Sequence, residues 1–187
     1  SFNGCSVDES FTSEIEKRLM LGNSIEKIDG INQLVDIKKF HLDRIKSLFD
    51  IDYISKRLKK MKLRIFVDSM HGSAANCMAE IFASNDLEVI SEIRKDADPF
   101  FGGKPPEPLL NYADDLKQTL MKNSTNEVKT LGIIFDGDGD RIAAIDEKGR
   151  YSSTQDLLPY FINYLGEIKN NSYPVLKTVS GSDIIKN

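Results

Sequence analysis

Two rhythms of apolar and polar residues run along this chain. Phe40, Ile45, Leu48, Phe49, Tyr53, Ile54 and Leu58 recur at roughly helical spacing, which predicts a long helix, broken near Asp50 to Asp52 and ending about Met61. Leu63 to Val67 is a compact apolar run with β-branched residues and predicts a buried strand. A polar turn from Asp68 to Ser73 follows, then a helix to about Ser84 and a second strand from Leu87 to Ile93. Asp98 to Pro108 holds four of the six prolines beside Gly102 and Gly103, so it predicts a long, stiff loop. A helix from Leu109 to Lys122 comes next. Strands are expected over Leu131 to Phe135, Ile142 to Asp146 and Val175 to Val179, with a turn at Glu147 to Gly149 and a helix from Gln155 to Ile168. Near the start, Thr12 or Ser13 would cap a short helix that Gly22 stops. Strands alternating with helices of this length define an α/β layered domain.

The best closed unit runs over residues 33–148. Residues 1–32 and 149–187 read as incomplete: a helix without its sheet at one end, a helix and one strand at the other. The abrupt stop after Ser180 reads as the end of a fragment. No internal repeat or low-complexity segment interrupts the pattern.

Composition narrows the class. Of 187 residues, 40% are hydrophobic and 29% charged, which excludes collagen, coiled coil and disorder. No window approaches the roughly 18 unbroken apolar residues of a membrane-spanning helix. Ser1-Phe2-Asn3-Gly4 carries no export signal, and Cys5 and Cys77 are too few and too far apart for a disulfide framework or a metal knuckle. A reducing, cytoplasmic setting fits best. The net charge of −4 is unevenly spread: Asp36 to Arg64 holds ten Lys or Arg against four Asp. Without aromatic interleaving on the basic side or a nucleic-acid motif, this stretch reads as a solvated helix face, not as a surface for nucleic acid or membrane.

The chemistry lies in Asp136-Gly137-Asp138-Gly139-Asp140-Arg141, where three carboxylates alternate with two glycines between apolar strands. Glycine lets the loop curl tightly, and curling gathers carboxylates that repel one another unless a cation joins them. A hard divalent cation bound through oxygen is the natural partner, and Mg²⁺ is the default. Arg141 adds a fixed fork that suits phosphate, so the assembly reads as a site for moving a phosphoryl group. Three other readings compete. A solvated acidic hairpin would need no such pattern. A calcium loop of the EF-hand kind matches Asp136, Asp138, Asp140 and Glu147, but it needs glycine where Arg141 stands and helices where strands are expected. An aspartate-nucleophile phosphatase suits the strand context but gives Asp140 no task.

This loop resembles the metal-binding signature of the α-D-phosphohexomutases, which include phosphoglucomutase and phosphomannomutase. Supporting segments lie in family order: Val67 to Ala74 resembles the strand-turn-helix opening of the second domain, and Asp98 to Pro108 its proline-rich loop. Asn3-Gly4 with the helix from Ser10 to Leu19 resembles the end of the first domain, and Tyr151 to Asn187 the opening of the third. The resemblance implies a three-layer α/β/α mixed-sheet domain with partial flanking domains. The first would end at residue 32, the second span 33–148 and the third begin at 149. The Pro-Glu-Pro stretch favours the phosphoglucomutase/phosphomannomutase branch over the phosphoglucosamine branch.

The resemblance further implies a reaction on hexose phosphates. A phosphoserine passes its phosphoryl group to the sugar, a hexose bisphosphate forms and turns over, and the other phosphate returns to serine. Asp136, Asp138 and Asp140 would hold Mg²⁺ with an oxygen of that phosphoserine, and Arg141 would steady the phosphoryl group. The serine loop would lie just before Asn3, outside these residues, so the 187-residue chain alone is expected to be inactive. Ser6 stands where the family carries a lysine, a departure from its pattern. A second reading is a non-catalytic module that binds a divalent metal or a partner through the retained loop. His71 is expected to cap a turn or contact a domain, Gly102, Gly103 and the prolines to shape their loop, Cys77 to join the core, and Tyr160 and Tyr164 to lie on the apolar face of the late helix. Lys104 could approach a phosphate, and Cys5 has no assigned role.

Overall fold

The computed structural model describes residues 7–22, 30, 33–83, 90–179 and 181–186. Asp8 starts the first helix, α1 (Glu9–Met20), by accepting the Phe11 N–H on its carboxylate, and so takes the cap expected of Thr12 or Ser13. Gly22, at φ 61°, follows the helix. α1 buries none of its residues and belongs to a unit that ends at Asp36. Cys5, Ser6 and Asn3-Gly4 lie outside the described residues.

From Ile37 onward the chain forms a second unit. The long amphipathic stretch does break, into α2 (Ile37–Leu48) and α3 (Ile51–Lys60), because the Asp50 carboxylate accepts the Tyr53 N–H and caps a new helix there. Then come β1 (Leu63–Asp68), α4 (Cys77–Ile81), β2 (Ile90–Ile93), α5 (Asp114–Asn123), β3 (Lys129–Phe135), β4 (Ile142–Asp146), β5 (Tyr151–Ser152) and α6 (Thr154–Asn163). The strands form one mixed sheet in the order β2-β1-β3-β4-β5, with β2, β1 and β3 parallel and β4 and β5 antiparallel.

The pleat sends alternate residues to opposite faces, and each face has its own core. Ile65 and Val67 of β1, with Ile133 and Phe135 of β3, pack on the side of Leu42, Leu58 and Ile81 from α2, α3 and α4. Phe66 and Ile134 face the other way, onto Leu116 and Leu120 of α5. Helices on both faces of the sheet make this the expected three-layer α/β/α domain.

Gly132, in the central strand β3, lets α5 approach closely. A Cβ there would lie 2.8 Å from methyl carbons of both Leu116 and Leu120, which are themselves fully buried. Gly132→Ala should therefore overpack that layer at a cost of about 1–3 kcal/mol. A thermal unfolding curve should show the midpoint fall by roughly 2–12 °C for a domain of this size.

Several boundaries differ from the sequence expectation. Val175 to Val179 forms no strand: Val175, Leu176 and Val179 are exposed, and no described strand pairs with them. A short apolar run needs a partner's ladder before it becomes a strand. Conversely, β5 pairs with β4 through Tyr151 opposite Ile145, although its two residues are too few to show a period. The helix expected after Ser73 begins only at Cys77, since Asn76 adopts a left-handed backbone angle that no helix continues; Ser84, its expected end, lies outside the described residues. The helix from Leu109 divides into a 3-10 turn, Leu110–Tyr112, and α5. Of the expected second strand, residues 87–89 lie outside the described ones. The late helix loosens into a π turn, Tyr164–Ile168. Among the described residues no helix is long and apolar enough to cross a membrane.

Candidate metal centre

The parallel strands β2, β1 and β3 all end at one edge, where Asp68 lies level with Ile93 on one side and Ile134 on the other. Such an edge gathers the loops in which open α/β sheets keep their binding chemistry. Just past β3 the chain turns straight back, because Phe135 pairs with Ile142 at the start of β4. The acidic segment is thus the closed end of a hairpin. Gly139 at φ 80° makes the turn possible, and the Asp136 N–H donates to the Arg141 carbonyl across its neck.

This closure gathers the three carboxylates. One oxygen from each of Asp136, Asp138 and Asp140 lies within 4.8 Å of the others. Asp136 is fully buried, while Asp138 and Asp140 face solvent. Arg141 folds back over the loop: its N–H donates to Asp136 Oδ1 at 3.0 Å and its Nε to Oδ2 at 2.6 Å. The same guanidinium lies 3.6 Å from Asp140 Oδ1 and 4.0 Å from Glu107 Oε1.

Electrostatics splits the acids. Burial works against the Asp136 charge, but the Arg141 backbone N–H and guanidinium outweigh it and hold this carboxyl below its ordinary range. Asp140 shifts the other way, raised by its hydrogen bond with Asp136 and by the Asp138 charge. The donor set fits a hard divalent cation, being all oxygen and strongly negative. Mg²⁺ ligands at about 2.1 Å stand roughly 3–4 Å apart, inside the 4.8 Å that bounds the spacing here.

Two neighbouring loops clamp the hairpin end at Gly137. From one side the Ser73 N–H donates to the Gly137 carbonyl at 2.9 Å, and Gly72 sits so close that a Cβ on it would lie 2.4 Å from that oxygen. From the other side the Gly137 N–H donates to the Pro106 carbonyl at 3.0 Å, with the Pro106 and Phe101 rings against its Cα. The proline-rich loop therefore supports the acidic loop directly. Its own shape comes from Asp98, whose carboxylate accepts the Phe100 and Gly102 N–H groups, which hold its acidity up.

Asp136, Asp138, Asp140 and Arg141 thus come together as one cluster. His71 ties two loops: its Nδ1 lies 2.7 Å from the Asp96 carbonyl and its ring packs against Gly102. Cys77 is half-buried at the margin of the α2–α4 core, and burial pushes its thiol up. Lys104 is exposed, as are Tyr160 and Tyr164. Sequence reasoning passed over Asp68, Arg94 and Glu107. The first two form a buried ion pair at the sheet edge, with Arg94 Nε 2.8 Å from Asp68 Oδ1. Nothing local marks them, because the parallel pairing of β1 with β2 is what brings them together.

Fold and loop together define a three-layer α/β/α domain with a carboxylate cluster of the cation-holding kind at the carboxyl edge of its parallel strands. Residues 39–149 match the sequence profile described as phosphoglucomutase/phosphomannomutase, alpha/beta/alpha domain II. The chain belongs to the phosphoglucomutase/phosphomannomutase family. It is 31% identical over 147 residues to a probable phosphoglucosamine mutase of Methanothermobacter thermautotrophicus, covering 74% of this chain and 32% of that protein. It is 28% identical over 141 residues to phosphoglucomutase 1 of Drosophila melanogaster, covering 73% of this chain and 24% of that one. A phosphoglucomutase/phosphomannomutase family protein of Burkholderia thailandensis shares the fold with a TM-score of 0.65 at 20% identity, over 89% of this chain and 33% of its own. The chain spans about a third or less of the length of these relatives.

Proposed function

We propose that these residues form the metal-holding part of a cytoplasmic phosphohexomutase that interconverts hexose 1-phosphate and hexose 6-phosphate, of glucose, mannose or both. The reaction would run through a phosphoserine and a hexose bisphosphate. The observation that carries this reading is the gathering of Asp136, Asp138 and Asp140, with Arg141 beside them, in a domain of that family. The three aspartates would hold Mg²⁺, which when bound offsets negative charge on a phosphoryl group in transfer. Arg141 orients that group through its fork, and Asp136 with Glu107 fixes where the fork points. Asp136, buried and held ionised, anchors the cluster, while exposed Asp138 and Asp140 can adjust to the ion.

Two measurements test the reading. In the parent polypeptide as made in its own cell, hexose 1-phosphate should be converted in a Mg²⁺-dependent way, while the 187-residue chain alone should convert none. Relatives named for glucosamine and for glucose stand at similar identity, so glucosamine 1-phosphate belongs beside glucose and mannose 1-phosphate in the assay. Turnover by the short chain, or conversion of glucosamine phosphate alone, would overturn the corresponding part.

Proton competition adds a signature. Cation binding needs the ionised carboxylates. Because the Asp140 pKa is raised above 3.8, protons should compete with the cation from a higher pH than for ordinary aspartates. Mn²⁺ affinity should thus be flat near neutrality and begin to fall on acidification at a higher pH than carboxylates of ordinary acidity would give. A titration followed by Mn²⁺ electron spin resonance reads the onset directly, and a fall that begins only where ordinary aspartates protonate would contradict it.

A further inference from the structure

We infer that Asp68 and Arg94, although remote from the carboxylates in sequence, are positioning residues that set how tightly the acidic loop binds its cation. This inference rests on the cation-holding reading of that loop. The pair is unusually well enclosed: Asp68 is fully buried and the Arg94 side chain is 15% exposed. Arg94 donates Nε to Asp68 Oδ1 and one terminal nitrogen to Asp68 Oδ2, and that nitrogen also donates to the Tyr112 carbonyl at 3.0 Å. A bidentate guanidinium with a third bond fixes direction as well as charge.

Both partners extend their grip into the turn after β1. Asp68 Oδ1 also accepts the Met70 N–H at 3.1 Å, and the Arg94 carbonyl accepts the His71 N–H at 2.7 Å. Met70 and His71 lie at φ 44° and 61°, so two consecutive side-chain-bearing residues take the left-handed backbone. Such angles persist only where the surroundings dictate them. Here the Asp68 carboxylate holds the Met70 N–H and the Arg94 main-chain carbonyl holds the His71 N–H, so the two residues of the ion pair both support these angles.

The strained turn then delivers Gly72 and Ser73 against Gly137, which lies between the ligands Asp136 and Asp138. Gly72 leaves no slack in that contact. A chain of short bonds thus runs from Arg94 through the β1–α4 turn to the backbone of the carboxylate loop. Groups that orient metal ligands commonly tune metal affinity by about 10–100-fold, and here the orientation is passed on through the backbone of Gly137.

The test compares Mn²⁺ affinity in the wild-type chain with Arg94→Lys, which keeps the charge but loses the fork, each shown to be folded by circular dichroism. Arg94→Lys should bind Mn²⁺ about tenfold more weakly. Gly132→Ala, which overpacks the α5 layer, serves as a control that should lower the melting temperature without moving the affinity. If Arg94→Lys does not fold, the double variant Asp68→Asn/Arg94→Gln strands no charge and should show the same loss. A folded variant of either kind with wild-type affinity overturns the inference. If the wild-type chain itself binds no Mn²⁺, the cation-holding reading fails, and this inference falls with it.

Discussion

Asp68→Ala is expected to lower the unfolding free energy by about 3–5 kcal/mol, because it leaves the Arg94 guanidinium buried without its counter-charge. At roughly 2–4 °C per kcal/mol for a domain of this size, the melting midpoint should fall by on the order of 6–20 °C. Most of that loss reflects the stranded cation, not the worth of the pair. Removing both charges, as in Asp68→Asn/Arg94→Gln, should therefore destabilise far less than Asp68→Ala alone. Denaturant unfolding of the two variants side by side decides the matter. If the double variant were the less stable, the ion pair would be holding the edge by net attraction and the account of its energetics would be wrong.

Asp138→Asn should weaken Mg²⁺ or Mn²⁺ binding by more than about a hundredfold, beyond the range usual for losing an outer partner of a ligand. Asp138 is the informative choice among the three. It is exposed, so the change should leave stability nearly untouched. Asp136 instead anchors Arg141 through two bonds from a buried position, and its loss would mix folding with binding. Isothermal titration with Mn²⁺ reads the affinity, and a thermal melt of the same sample confirms that the fold is intact. An unchanged affinity in folded Asp138→Asn would remove the loop from the list of cation sites and leave the solvated hairpin turn as its description.

The acidic loop and the strands around it were legible because their signals are local. Leu63 to Val67, Leu131 to Phe135 and Ile142 to Asp146 are apolar runs ended by acids or glycine, and each became a strand within a residue or two of its expected limits. The helix break at Asp50 was equally readable, since its cap lies three residues from the N–H it accepts. What stayed hidden depends on contacts between distant segments. The left-handed turn at Met70 and His71 is written by Arg94, which reaches it only after β1 and β2 have paired. Val175 to Val179 has the composition of a strand, yet no described ladder receives it. The support that Pro106 gives to Gly137 was invisible for the same reason: a proline-rich loop announces stiffness, not the neighbour it stiffens.

The meeting of Gly72 with Gly137 also limits how this chain can drift. Contacts between side chains leave a trace in related sequences, because a larger residue on one side can be offset by a smaller one on the other. No such exchange exists here. A methyl group at 72 would strike the backbone of 137, whose residue has no side chain left to give up. The two positions should therefore each hold glycine without varying together, and maps of contacts inferred from covariation should omit the junction that seats the carboxylate loop.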